Sequence, residues 1–455
     1  MTNLDRRAAL GALAGATAGL AYAPAFAQAQ AAQPSAPAAN GAVPSDWVDP
    51  KTNHRIVRLS GDEGGGKLYF YRQQFTPEGD LLVYSTPQGI TAVNLATRAR
   101  RVIVADPRAS LMFTSRRNRT AFYYISDEGE GQPTDRPRTL YAADIDSGES
   151  RQVGRIEAGQ IWQMNADETL MVGTVAYGDA PLQPDVPDPR NRRFGQAEYS
   201  AVGPDGKPLN FAKAKGVRML TRWAARVPME LFVLDLRTGE RRVVHKANDW
   251  LNHAQFSPTD PDQLIFSHEG PWHRVTRMWR IRTDGTGLAP LHERTMNFEI
   301  WGHEFFGPDG QWLWYDLQTP RGQVFWVAGL ELATGRRMWR RIEQNDWSVH
   351  FNVSPDGKLF AGDGGDADMV AHAPDGKWIV ALRPETVTDA EPDTYQDDLV
   401  TPEYMRSERL VDMSAHDYRL EPNITFTPDG KWIVFGSNMH GSNHVYMVEV
   451  APTPA

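Results

Sequence analysis

Apolar positions recur every second residue in short runs along this chain, and a turn phrase stands before nearly every run. The phrase appears as 75-FTPEGDLLVY-84, 256-FSPTDPDQLIFS-267, 306-FGPDGQWLWY-315, 353-VSPDGKLFAG-362 and 426-FTPDGKWIVF-435, with weaker copies at 113-FTSRRNRTAFYY-124 and 164-MNADETLMVG-173. Pro-Asp-Gly or its equivalent makes a tight turn, and the alternation after it predicts a half-buried strand. A second phrase follows most copies: 140-LYAADIDSGE-149, 231-LFVLDLRTGE-240, 278-MWRIRTDGTG-287 and 329-GLELATGRR-337. Each is a strand running into a hairpin. One unit is therefore about four short antiparallel strands, the blade of a propeller.

The turn phrases begin near 75, 113, 164, 256, 306, 353 and 426. Seven units at a period of roughly 40–50 residues predict an all-β fold, a seven-bladed β-propeller over 45–455. Repeats of the WD40 or kelch kind share the period, but their signature dipeptides are missing. Two gaps break the series. The first, about 174–228, carries DAPLQPDVPDPRNRR and a polar run to TRWAARVP; the second, about 366–420, holds an additional strand pair, 373-APDGKWIVAL-382, and the acidic EPDTYQDD. Insertions of this length between regular units sit on a ligand-facing rim.

Composition narrows the function. The chain has 455 residues, 41% apolar with 14 Trp, enough for a large core. A net charge of -9 argues against nucleic acid or an anionic membrane as the main partner. The absence of cysteine removes disulfides, thiol catalysis and thiolate metal sites. Arg6-Arg7, a mild apolar run from Ala8 to Tyr22, and Ala25-Phe26-Ala27 predict a twin-arginine-like signal peptide over residues 1–27, followed by a flexible leader over 28–44. No other run is long enough to span a bilayer. The expected location is periplasmic or secreted.

Candidate chemistry lies where histidines break the sheet pattern at matching places. His253 lies three residues before Phe256, His303 three before Phe306, His350 three before Val353, and Asn423 three before Phe426. Matching positions of successive blades fall on one ring around the central channel, so these four residues converge. Neutral imidazoles with carboxylate or amide oxygens suit a divalent metal, and His303, His416, Glu421 and Asn423 are the expected set. An unligated imidazole is a general base near neutral pH. Arg222, Arg226, Arg274 and Arg277 are candidates for holding a substrate anion, although Arg226 and Arg274 read equally as a solvated face.

The phrases WLNHAQFSP, FSHEGPWHRVTRMWRI, GHEFFGPDG, VHFNVSPDGKLFAGDGG and FTPDGKWIVFGSNMHG resemble the oligogalacturonate lyases, polysaccharide lyase family 22. The resemblance covers most of the chain after the leader. It implies a seven-bladed propeller that cleaves acidic oligosaccharides by β-elimination with a divalent metal, manganese foremost and calcium or magnesium as alternatives. It implies His253 as the proton-abstracting base and His303 as a metal ligand. His268, Glu269 and Arg277 fall in the family's HEGP…RMW signature. Where the family has His-Pro-His before the last turn phrase, this chain has Glu421-Pro422-Asn423, with His416 the candidate for a compensating nitrogen. The family's arginine before the Asp-Leu-x-Thr-Gly-Glu hairpin falls near Glu230, leaving Arg222 or Arg226 as its substitute. The expected catalytic residues are thus His253, Arg222 and Arg277, with His268, Glu269, His350 and Asp363 binding substrate. Two other readings stay open: metal-dependent β-elimination on another glycoside, such as a keto sugar, and a non-catalytic periplasmic binding propeller.

Overall fold

The computed structural model describes residues 43–128, 136–178, 201–369, 371–387, 396 and 398–453. The signal peptide and most of the leader lie outside them.

The strands assemble in chain order as antiparallel meanders. Leu81–Thr86, Gly89–Asn94 and Arg100–Val104 form a three-stranded sheet. Four-stranded sheets follow over Ser110–Ile156, Gln160–Ala247 and Trp250–Pro290. Ile300–Ile342 and Phe351–Asp412 are two further antiparallel halves, fused into eight strands by parallel pairing of Arg337–Ile342 with Val400–Asp412. The remaining sheet is built from both ends of the chain: Thr425–Phe426, Trp432–Ser437 and His444–Glu449 continue into Arg55–Arg58 and Asp46–Val48.

Alternation along each strand sends one set of side chains to each neighbouring sheet. The apolar clusters follow from that. Ile161, Met171, Phe232 and Leu234 join Phe113, Phe122 and Leu140; Leu231 and Val233 join Leu264 and Phe266; Ile265 and Met278 join Leu313 and Tyr315. Trp314 and Phe325 join Phe360 and Leu382, Ile379 and Leu410 join Ile433 and Tyr446, and Val434 and Met447 join Leu82 and Tyr84. The succession of packed faces returns to its starting sheet. Each such buried Leu, Val or Phe contributes roughly 1.5–3 kcal/mol.

The first gap holds a helix that the sequence pattern did not predict, and the second holds the strand expected within 373–382 in a different setting. Phe211–Ala225 is a helix, N-capped by Asn210, whose side chain accepts from the Lys213 amide, and ended by Arg226 in a left-handed conformation. The second gap is not an insertion with an extra strand pair. Trp378–Thr386 pairs with Phe360–Gly362 on one side and with the 13-residue strand Val400–Asp412 on the other, completing the sheet begun at Phe351.

Candidate active site

Three of the four register-matched residues share an unusual backbone. His253, His303 and Asn423 have φ of 48°, 41° and 57°. In the first two cases the ladder shifts register there, between Asn252 and Gln255 and between Gly302 and Phe305. A bulge of this kind turns one side chain out of the sheet. Left-handed backbone at a non-glycine residue costs on the order of 1–3 kcal/mol, so the surrounding sheet must enforce it. The strain thus aims the three side chains.

His253 is largely enclosed, its side chain 14% exposed, with its Nε2 3.5 Å from Glu269 Oε2. Tyr69 and Trp162 flank the imidazole, each with ring centroids 5.8 Å away. Burial pushes its pKa down to about 4 in spite of Glu269, so the ring is neutral at pH 7. Glu269 is fixed in turn: it accepts from Arg277 Nη1 at 2.6 Å and from Trp272 Nε1 at 2.7 Å. Burial alone would raise its pKa, but Arg277, His253 and Trp272 together outweigh this and hold it at about 2. The guanidinium also reaches Glu304 Oε2 at 3.2 Å.

Around the next bulge, His303 Nδ1 lies 2.8 Å from Asp316 Oδ1. Gly302 makes that approach possible, because a Cβ there would stand 2.7 Å from the same oxygen. His350 Nδ1 donates to Asp363 Oδ2 at 2.8 Å. The two imidazoles meet edge to face with centroids 4.7 Å apart. His350 Nε2, buried and without a hydrogen-bond partner, lies 3.7 Å from Glu421 Oε2. Asn423 Oδ1 is also buried and unpartnered, while its Nδ2 donates to the Glu421 carbonyl. Burial pushes the Asp316 carboxyl up to about 7. Burial works on Glu421 in the same direction, but Lys215, His350 and His303 hold it below the usual carboxylate range.

Among the described residues, no three His, Asp or Glu side chains yet converge closely enough to hold a metal; Lys215 Nζ, 3.8 Å from Glu421 Oε1, supplies the nearest compensating charge. The donor chemistry nevertheless fits one. A carboxylate on Nδ1 of each imidazole leaves Nε2 available, the outer-shell arrangement of metal-binding histidines. Of the two unpartnered buried atoms, His350 Nε2 lies beside the Glu421 carboxylate, and Asn423 Oδ1 belongs to a residue hydrogen-bonded to the Glu421 main chain.

Several expected roles change. His416 is no ligand: its Nδ1 lies 2.9 Å from Ser437 Oγ and its Nε2 2.7 Å from the Leu420 carbonyl, so both nitrogens are engaged internally. His350 takes its place beside His303. Arg277, with a side chain 2% exposed, is locked between Glu269 and Glu304. Glu269 and Asp363 are likewise buried and hydrogen-bonded, and they position His253 and His350 in place of binding sugar. His268 faces away: it stacks on Trp279 at 4.9 Å and lies 3.8 Å from Asp249, on the sheet face opposite Glu269. Arg222 projects from the helix over Trp250, 4.8 Å from its ring. Arg226 pairs with Asp249 at 2.5 Å, Arg274 is exposed, and Glu230 is held by Arg241 and Lys246 at 2.8 Å each.

Other site residues went unnoticed in the sequence. Arg72 stands three residues before Phe75, the same register as His253, and lies buried 5.7 Å over Trp162; the spacing rule points to it, although it is neither imidazole nor amide. Lys67 donates to the carbonyl of Asn423 and to Thr425 Oγ1, and burial pushes its pKa down to about 7. Lys215 and Asp316 carry no motif, and Glu304 lies within GHEFFGPDG beside the more conspicuous His303.

The buried imidazoles set a pH response. His253, His268 and His444 are held at about 4 and His416 at about 3, each chiefly by burial. Between these values and the unfolded 6.5, the unfolded chain binds more protons, so stability falls as pH falls. Asp316, at about 7, opposes this, since the folded state holds its proton below that pH, and Asp346, its pKa raised by burial, acts in the same direction. The expected net result is a Tm that drops by on the order of 5–10 °C from pH 7 to pH 5. Calorimetry across that range checks it, and a flat Tm would mean that these rings are not held neutral.

Comparison with known proteins fits this geometry. Residues 205–453, more than half of the chain, match the family model described as oligogalacturonate lyase. The chain belongs to the oligogalacturonate lyase family. The oligogalacturonide lyase of Pectobacterium atrosepticum is 28% identical over 423 residues, covering 89% of this chain and 95% of the relative. The oligogalacturonate lyase of Dickeya dadantii is 28% identical over 426 residues with the same coverage. Among solved structures, an oligogalacturonate lyase in complex with manganese superposes with a TM-score of 0.65 at 21% identity, over 90% of this chain and 96% of that one. The Vibrio parahaemolyticus oligogalacturonate lyase gives 0.64 at 21% identity, with the same coverage. At that identity the structural likeness shows a shared fold.

Proposed function

We propose that this protein cleaves short oligogalacturonides by β-elimination on a seven-bladed propeller, with His253 as the base. The observation that carries the reading is a neutral, largely enclosed imidazole whose Nε2 faces a glutamate fixed by a buried arginine. The seven-fold count rests on the chain-ordered sheets and on the cycle of packed faces. In the reaction His253 takes the proton on C5, alpha to the carboxylate. The electrons form a C4–C5 double bond, the C4–O bond breaks, and the departing oxygen takes a proton from solvent water. The imidazolium so formed lies beside the Glu269 carboxylate, which stabilises it. Tyr69 and Trp162 keep water from the base.

A divalent metal, manganese foremost, would be held by His303, His350, Glu421 and Asn423; it would supply positive charge to the substrate carboxylate as the proton leaves. Asp316 and Asp363 orient the two imidazoles. Arg6-Arg7 and Ala25-Phe26-Ala27, outside the described residues, support export to the periplasm or beyond. No helix among the described residues is long and apolar enough to cross a membrane.

The test is the ultraviolet absorbance of the conjugated unsaturated uronide after digalacturonate or trigalacturonate is added, with manganese or with chelator, alongside elemental analysis. A metal-dependent rise is expected. Bound metal without any rise would move the substrate to another glycoside, and neither metal nor rise would leave a binding propeller.

A further inference from the structure

The helix Phe211–Ala225 carries its charge on an unexpected side. Ala212, Ala214 and Met219 are buried, whereas Lys213, Gly216, Leu220 and Ala224 are exposed. At 100° per residue, Lys215, Arg218 and Arg222 fall on one stripe in the middle of the inward face. All three are half-buried. A helix packed on a protein body ordinarily turns apolar residues inward and cations outward. Here the apolar residues flank an inward line of three cations.

The stripe has a defined position. At its start, Asn210 Nδ2 donates to Asp368 Oδ1 at 3.1 Å, and Lys215 reaches Glu421 beside His303 and His350. At its end, Arg222 lies over Trp250, the strand partner of Glu269. Trp223 packs on Gly270, where a Cβ would come within 3.1 Å of the indole. The helix therefore runs from the His303/His350 side of the site to the His253 side. Seven residues separate Lys215 from Arg222, a rise of about 10 Å, longer than a single sugar ring.

We propose that this stripe is the subsite rail of the enzyme. Lys215 neutralises the carboxylate of the sugar at the reaction centre, and Arg218 and Arg222 take the carboxylates of the neighbouring sugars. The inference rests on the proposed oligogalacturonide substrate and adds to it a determinant of chain length. Arg218 and Arg222 are positioning residues. Lys215 does in part what an arginine near position 230 does not do in this chain.

The experiment uses the full mature chain carrying His253→Asn, so that binding is measured without turnover. Titration calorimetry with digalacturonate and trigalacturonate is run on this background and on added Lys215→Met, Arg218→Met, Arg222→Met and, as control, Lys213→Met. Arg218→Met and Arg222→Met should weaken trigalacturonate binding about tenfold and digalacturonate binding far less. Lys215→Met should weaken both, and Lys213→Met neither. The salt dependence of trimer binding should become shallower in the arginine variants. An unchanged trimer-to-dimer affinity ratio in both arginine variants overturns the proposal. If a methionine variant fails to fold, Arg218→Lys and Arg222→Lys replace it, and retained trimer preference with charge retained is the expected result; its loss counts against the rail. Failure of the substrate reading looks different: the otherwise unaltered enzyme then forms no unsaturated product. Tight trimer binding without turnover still supports the rail, and no binding of either oligosaccharide overturns both.

Discussion

His253→Asn should lower kcat on digalacturonate by a factor on the order of 10²–10⁴ and leave the Tm within a degree or two. The size follows from removing the group that takes the proton. Asparagine is the right replacement because position 253 has φ 48°, and asparagine tolerates left-handed backbone better than other non-glycine residues. Alanine would mix loss of the base with backbone strain. A polar amide also keeps a donor facing Glu269 Oε2, which His253 approaches to 3.5 Å. Steady-state kinetics and a thermal melt on one preparation decide it. A kcat within threefold of the unaltered enzyme would remove His253 from the chemistry.

Arg277→Met should cost about 3–5 kcal/mol of stability, because it strands two carboxylates that are 5% and 1% exposed. Glu269 and Glu304 both depend on this guanidinium, and the residue sits too deep for water to replace it. Activity should fall as well, since Glu269 would lose the contact that fixes it beside His253. Adding Glu269→Gln and Glu304→Gln separates the two effects. The triple variant should recover most of the lost Tm, because no buried charge remains uncompensated, yet stay slow, because the imidazolium has lost its counter-charge. Recovery of both properties would make the glutamate–arginine network purely structural.

How much of this was legible in the sequence depends on the range of the interaction. Turn phrases and strand alternation are local, so the antiparallel units could be read directly. The convergence of His253, His303 and Asn423 was legible because a repeat turns equal spacing into spatial proximity, and the shared positive φ at those residues follows the same spacing. His416 was misassigned because nearness in sequence to Glu421 and Asn423 says nothing about which ring nitrogens are already engaged. Arg277 resembled a substrate clamp until its two buried partners, one 27 residues away, came into view. Asp316 and Asp363 orient their histidines from the next strand, a pairing that register decides. The helix was missed because its inward face carries Lys215, Arg218 and Arg222, which breaks the apolar periodicity that marks a surface helix.

The sheet that joins the two ends of the chain has a consequence for synthesis. Ile56, Val57 and Arg58 pair with Val448, Met447 and Tyr446, so the second edge of Arg55–Arg58, beyond its hairpin with Asp46–Val48, finds its partner only near the end of synthesis. Such long-range pairing is slow, and an unpaired edge invites association with other chains until it closes. The final strands therefore act as a completion check. A product cut short before His444 would leave Arg55–Arg58 paired with Asp46–Val48 alone and no ring to close, whatever the quality of the sheets already formed.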